Sequence, residues 1–167
     1  MNELKDSREI LLIAIGNDGR GDDGLGWRFA DALEEYKEEI DIEYRYQLQV
    51  EDADLLSGYS TVIFVDAHHG ELPGGYSFLK CLPTGTHTFT THTLTPETVL
   101  WLAEELYDVH PEAYVLAIEG TDWELKQGLS NQAIENLEAA LEFFGAEFRS
   151  QFLSAFQQAN PQYEEPE

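Results

Sequence analysis

The stretch Ile10-Leu11-Leu12-Ile13-Ala14-Ile15, followed by Gly16-Asn17-Asp18-Gly19-Arg20-Gly21-Asp22-Asp23-Gly24, decides how the chain is read. Six apolar residues in a row, with no polar alternation, describe a strand buried on both faces, as in a parallel sheet. A glycine-rich turn then delivers Asp22 and Asp23 to the point where that strand runs out. In an open α/β sheet, ligands bind outside the carboxyl ends of the strands. Two ionised carboxylates about 4 Å apart repel by roughly 4 kcal/mol at an effective dielectric near 20. Acids in that position therefore call for a cation.

Working outward, residues 61–65 and 114–118 form two further apolar runs, each ending in a polar switch, at Asp66 and Glu119. Residues 41–47 read as a more exposed strand and 75–80 as one near an edge. Amphipathic helices alternate with these strands. Leu25, Phe29, Leu33 and Tyr36 make the apolar face of the first. Thr95 and Pro96 start another, with Val99, Leu102, Ala103 and Leu106 as its stripe. Ser130 caps a longer helix carrying Ile134, Leu137, Leu141 and Phe144. Residues 82–94 read as a loop rich in Thr and Gly, and 160–167 as a frayed, disordered tail. The expectation is one α/β domain, a three-layer α/β/α sandwich around a twisted, mostly parallel sheet of about five strands.

Composition narrows the partners. The 167 residues are 43% hydrophobic and 12% aromatic, as in a folded globular chain. Thirty-three acids against nine bases give a net charge of −24, which argues against nucleic acid and against an anionic membrane as partner. An acid-rich, solvated surface is the ordinary reading of such a charge, and attraction of a basic or metal-bearing partner the sharper one. Cys81 is the only cysteine, so neither an internal disulfide nor a cysteine-caged zinc site is available. The opening residues 1–9 lack the apolar core of a signal peptide, and no apolar stretch has the length to span a bilayer. A cytoplasmic monomer is expected.

Several constellations compete for the chemistry. Gly19-Arg20-Gly21-Asp22-Asp23-Gly24 fits G-x-G-x-x-G, but Gly16-Asn17-Asp18 separate it from the strand, and a pyrophosphate would meet two carboxylates. Nucleotide binding is therefore disfavoured. Asp22 and Asp23 also suit a helix N-terminus, where acids cap amides and complement the dipole, and for Asp22 that reading is preferred. Asp66 closes its strand at the same sheet edge as Asp23, or else simply bonds loop amides. His68 and His69 follow it and read as ordinary polar groups or as additional ligands. His92 lies in Thr91-His92-Thr93-Leu94, ahead of a helix start. Two carboxylates and an imidazole make a mixed oxygen and nitrogen set suited to a divalent transition ion such as nickel or zinc, with positions left open for water or substrate. Covalent catalysis has little support: no G-x-S-x-G elbow occurs, and Cys81 reads as a small buried or edge residue.

These segments resemble the hydrogenase maturation endopeptidases, which process the large subunit of nickel–iron hydrogenases. The resemblance spans roughly 10–141. It rests on Gly16-Asn17…Asp22-Asp23-Gly24-Leu25-Gly26, on the strand ending in Asp66-Ala67, on Thr91-His92-Thr93-Leu94, and on Ile118-Glu119-Gly120 followed by Gly128-Leu129-Ser130. It implies a twisted sheet with helices on both faces. It also implies that Asp23, Asp66 and His92 are the metal-binding and catalytic residues. The implied activity is one cleavage, removing a C-terminal extension from the large-subunit precursor after nickel insertion. The implied metal is the substrate's own nickel, so the free enzyme need not hold any. The turn sequence and Gln49-Val50-Glu51 further suggest service to a soluble hydrogenase, and the His68-His69 pair departs from the family pattern. A non-enzymatic nickel carrier or sensor using the same three ligands is the rival reading.

Overall fold

The computed structural model describes residues 9–85 and 94–148. Its sheet contains β1 (Ile10–Ile15), β2 (Ile40–Arg45), β3 (Thr61–His69), β4 (Tyr76–Lys80) and β5 (Glu112–Gly120), in the order β2-β1-β3-β5-β4. The first four of these in spatial order run parallel, and β4 alone is antiparallel, against β5. Helices α1 (Leu25–Asp31), α2 (Asp52–Leu56), α3 (Pro96–Tyr107) and α4 (Asn131–Glu147) and three 3-10 turns complete the described elements.

All six residues of β1 are buried because both its faces are covered. Leu12 and Ala14 pack with Leu25 and Phe29 of α1 and with Ala140 and Phe144 of α4. Leu11 and Ile13, pointing the other way, pack with Ala53 and Leu56 of α2 and with Val99 and Ala103 of α3. The three-layer α/β/α sandwich expected from the alternation of elements is the one observed. Phe29 and Phe144 meet edge to face at 5.3 Å, and burying each ring stabilises the fold by roughly 2–3 kcal/mol.

Helix starts follow local chemistry. Thr95 accepts a 3.2 Å bond from the Thr98 amide, with Pro96 at the first helical position. Ser130 accepts a 3.1 Å bond from the Ala133 amide at the head of α4. Asp108, left-handed at φ 53°, closes α3.

Some boundaries differ from the sequence reading. The apolar stripe from Leu25 to Tyr36 is not one helix: α1 stops at Asp31, and Glu34–Tyr36 forms a separate 3-10 turn. That break lets Tyr36 pack on Phe148, 4.7 Å away between ring centres. Asp66 does not end its strand. β3 continues through His69 because β5 continues beside it, Asp66 to His69 pairing with Ala117 to Gly120. The short α2 has no periodic signature in the sequence, because its five residues hold too few apolar positions to show one. Within 82–94, Leu94 forms an isolated bridge with Leu48, residues 82–85 take no regular structure, and residues 86–93 fall outside the described residues. The same holds for the tail, 160–167. No described helix is long and apolar enough to cross a membrane.

Candidate functional site

From β1 the chain passes through α1 to β2 on one side, whereas β3 and β5 lie on the other. The reversal makes a switch point between the carboxyl ends of β1 and β3, the crevice where such sheets bind ligands. Asp23 follows β1 and Asp66 lies in β3, so the two acids flank this crevice.

Backbone contacts fix Asp23. Its carbonyl accepts from the Asn17 amide at 3.0 Å, and its own amide donates to the Arg20 carbonyl at 3.1 Å. Two glycines let the turn close. A Cβ on Gly16 would stand 2.1 Å from the Asp23 carbonyl oxygen. A Cβ on Gly26 would stand 2.4 Å from the Ile15 oxygen and 2.8 Å from that of Val65, so only glycine lets α1 press onto the ends of β1 and β3.

The electrostatics of the pair are those of confined like charges. Burial pushes the Asp66 carboxyl up to about 7, and the neighbouring Asp23 charge pushes the same way, against the bond from the Ala67 amide. Burial also raises Asp23, while Arg20 and His69 oppose it. Both acids are thus held in surroundings that disfavour two negative charges, and a divalent cation relieves that cost directly. Among the described residues, no group of three or more His, Cys, Asp or Glu side chains is arranged to hold a metal ion. Asp23 and Asp66 together are two members of the expected set. His92 lies outside the described residues.

Asp22 has a different task from its neighbour. It is fully buried, and it accepts bonds from the amides of Thr121 (2.8 Å), Asp122 (2.9 Å) and Ser130 (2.7 Å), and from the Ser130 hydroxyl (2.7 Å). Burial works to raise its carboxyl, but these donors outweigh it and hold the group below its ordinary value. Nor does it cap the helix that follows it, as sequence position suggested. It ties the turn after β1 to the loop after β5, at the head of α4.

That loop carries a contact the sequence did not announce. Trp123 stacks on His69 with ring centres 3.6 Å apart and planes 15° from parallel. His69 is close enough to Asp23 to favour its charged form. Arg20, in the turn itself, acts likewise, and its place in the sequence does not mark it. The only available signal was one of type: a base and an imidazole at the ends of segments already suspected. Cys81 is buried, and burial with Glu97 pushes its thiol up to about 12, which suits a packing residue rather than a nucleophile.

No protein-family model matches the chain, and no curated protein sequence matches it. Solved structures do. The chain is similar to the hydrogenase maturating endopeptidase HybD from E. coli, at 20% identity over 86% of this chain and 94% of that one, with a TM-score of 0.63. The NiFe hydrogenase maturation protease HycI from Thermococcus kodakarensis is 22% identical over 85% and 93%, at 0.65. HybD from Thermococcus kodakarensis is 19% identical over 83% and 97%, at 0.58. The chain therefore has the fold of these hydrogenase maturation proteases, with two of its acids set at that fold's switch point.

Proposed function

We propose that the chain is a cytoplasmic endopeptidase of hydrogenase maturation. It would remove the C-terminal extension of a nickel–iron hydrogenase large-subunit precursor once nickel has been inserted. The observation that carries this reading is the juxtaposition of Asp23 and Asp66 at the switch point of a fold shared with named maturation proteases. His92 is the third member of the set by resemblance. Leu94, two residues on, bridges to Leu48 just past the carboxyl end of β2.

The residues present suit a divalent ion. Two desolvated carboxylates repel one another when empty, so they gain most when a cation arrives. Nickel carried in the precursor would be recognised as part of the substrate, which couples cleavage to correct metal insertion. A bound ion of this kind supplies Lewis-acid polarisation of a carbonyl or of water. Asp23 and Asp66 would hold such an ion, and a carboxylate of the pair would take up the proton of an attacking water.

Incubation of nickel-loaded and nickel-free precursor with the protein tests the reading. Shortening of the loaded form alone is expected. Equal cleavage of both, or of neither, sinks it. A carrier or sensor would bind nickel and shift its melting temperature without ever shortening the precursor.

A further inference from the structure

The geometry points to the edge of β2 that no described strand pairs with, together with the aromatic group at Tyr44, as the docking surface for an extended, lysine- or arginine-bearing segment of the partner protein. In naming the precursor as that partner, the inference rests on the protease reading.

β2 is a terminal strand of the sheet among the described residues. Such an edge offers backbone donors and acceptors to an added strand. The opposite edge, β4, ends in the exposed Lys80, a charge that guards against strand addition. β2 carries no lysine. Its one base, Arg45, is turned onto Asp52 at 3.0 Å and Glu43 at 3.3 Å. Alongside runs a groove of about 480 Å³, floored by Ala30, Ile40 and Ile42 and bordered by Glu34, Glu43 and Tyr44. The lysine in its wall, Lys37, is paired with Glu34 at 3.0 Å.

At Tyr44 the groove meets an aromatic group centred on Trp27. Trp27 meets Tyr44 edge-on at 5.9 Å and Tyr46 at 5.0 Å. Tyr44 is 41% exposed and Tyr46 70%. Exposed ring faces beside carboxylates attract a guanidinium or ammonium group, and the net charge of −24 steers such a partner inward. The group is also joined to the candidate site: the Trp27 indole and the Gly16 amide both donate to the Arg45 carbonyl, at 3.1 Å and 2.9 Å. A segment lying along β2 is thereby led toward the turn that carries Asp23.

Other occupants fit less well. Residues 149–167 contain Arg149 against Glu164, Glu165 and Glu167, the wrong balance for an acidic groove. A second copy would set acid against acid.

Two measurements test the inference. In the first, a short alternating Lys-Val peptide, blocked at both ends, is titrated at physiological salt into the full isotope-labelled chain. Shifts are expected in the amides of 40–46 and the Trp27 indole, and they are lost in the Tyr44→Ala/Tyr46→Ala variant, whose own amide spectrum reports that it is folded. Shifts spread over the acidic surface, shifts that persist in the variant, the same response to a Glu-Val peptide, or no response at all would overturn it. In the second, the same variant processes nickel-loaded precursor with KM raised about tenfold and kcat within about twofold. An unchanged KM overturns the inference. If the unaltered protein fails to process precursor, only the protease reading falls, and the peptide titration still decides the docking edge.

Discussion

Asp22 accepts a 2.7 Å hydrogen bond from the amide of Ser130, 108 positions further along the chain. One buried carboxylate thus fastens the turn after β1 to the head of α4, while the next residue, Asp23, is close enough to Asp66 and His69 to interact with them electrostatically. Two adjacent acids sit in different surroundings, one tied into the fold and one beside Asp66 at the candidate site.

Replacing Asp22 by Ala leaves the amides of Thr121, Asp122 and Ser130 without their acceptor. Hydrogen bonds to a charged group contribute about 1.5–3 kcal/mol each when broken one at a time, so a loss of roughly 3 kcal/mol is expected for this coupled set. Urea unfolding measures it. The carboxyl also lies below its ordinary value of 3.8 in the fold. The unfolded chain therefore binds the proton more tightly, and the stabilisation is fully present above pH about 4 and fades as pH falls through the lowered value. The pH slope below 4 should be flatter in Asp22→Asn.

Asp66 predicts the opposite slope. Its carboxyl rises from 3.8 to about 7 on folding, so the folded chain binds the proton more tightly than the unfolded one. That stabilisation is present below pH about 4 and is lost as pH climbs through about 7. Asp66→Asn removes the slope, and without metal this variant should melt higher than the parent above pH 7. Thermal melts between pH 4 and pH 8 decide the matter, and a parent curve without that decline contradicts it.

Asp23→Asn, Asp66→Asn and His92→Ala should each lower precursor processing by about a thousandfold, with the fold retained. Gel assays on nickel-loaded precursor, alongside circular dichroism, separate the two effects. Normal processing by any one of them removes that residue from the site.

Gly16→Ala brings a Cβ to 2.1 Å from the Asp23 carbonyl oxygen, and backbone on both sides must shift. A cost of roughly 2–4 kcal/mol is expected, together with loss of processing because Asp23 moves with its carbonyl. An alanine variant that melts and cleaves like the parent would contradict the clamp.

Ser130→Ala removes two functions of one hydroxyl. It accepts from Ala133 as the cap of α4 and donates to Asp22. The expected loss is about 1–2 kcal/mol, larger than for Thr95→Ala at the head of α3. Among the described residues, Thr95 caps its helix and otherwise meets only the neighbouring Thr98 hydroxyl. Paired urea curves give the comparison.

What the sequence determined by itself is local and periodic. The unbroken apolar run Ile10–Ile15 requires cover on both faces, Thr95-Pro96 and Ser130 start helices, and the glycines after β1 permit a tight turn. Each follows from residues within a few positions of one another, where period and cap chemistry are encoded. The length of β3 was not legible, because β5 prolongs it from a distant part of the chain. The division of labour between Asp22 and Asp23 was equally hidden, since it depends on donors from residues 121–130. Those donors reach Asp22 only when β1 and β5 lie in one sheet, and the crevice shared by Asp23 and Asp66 exists only because the strand order reverses between β1 and β3. Long-range hydrogen bonds and shared burial leave no periodic trace in the chain, so tertiary structure alone decided which acid is tied into the fold and which lies beside Asp66.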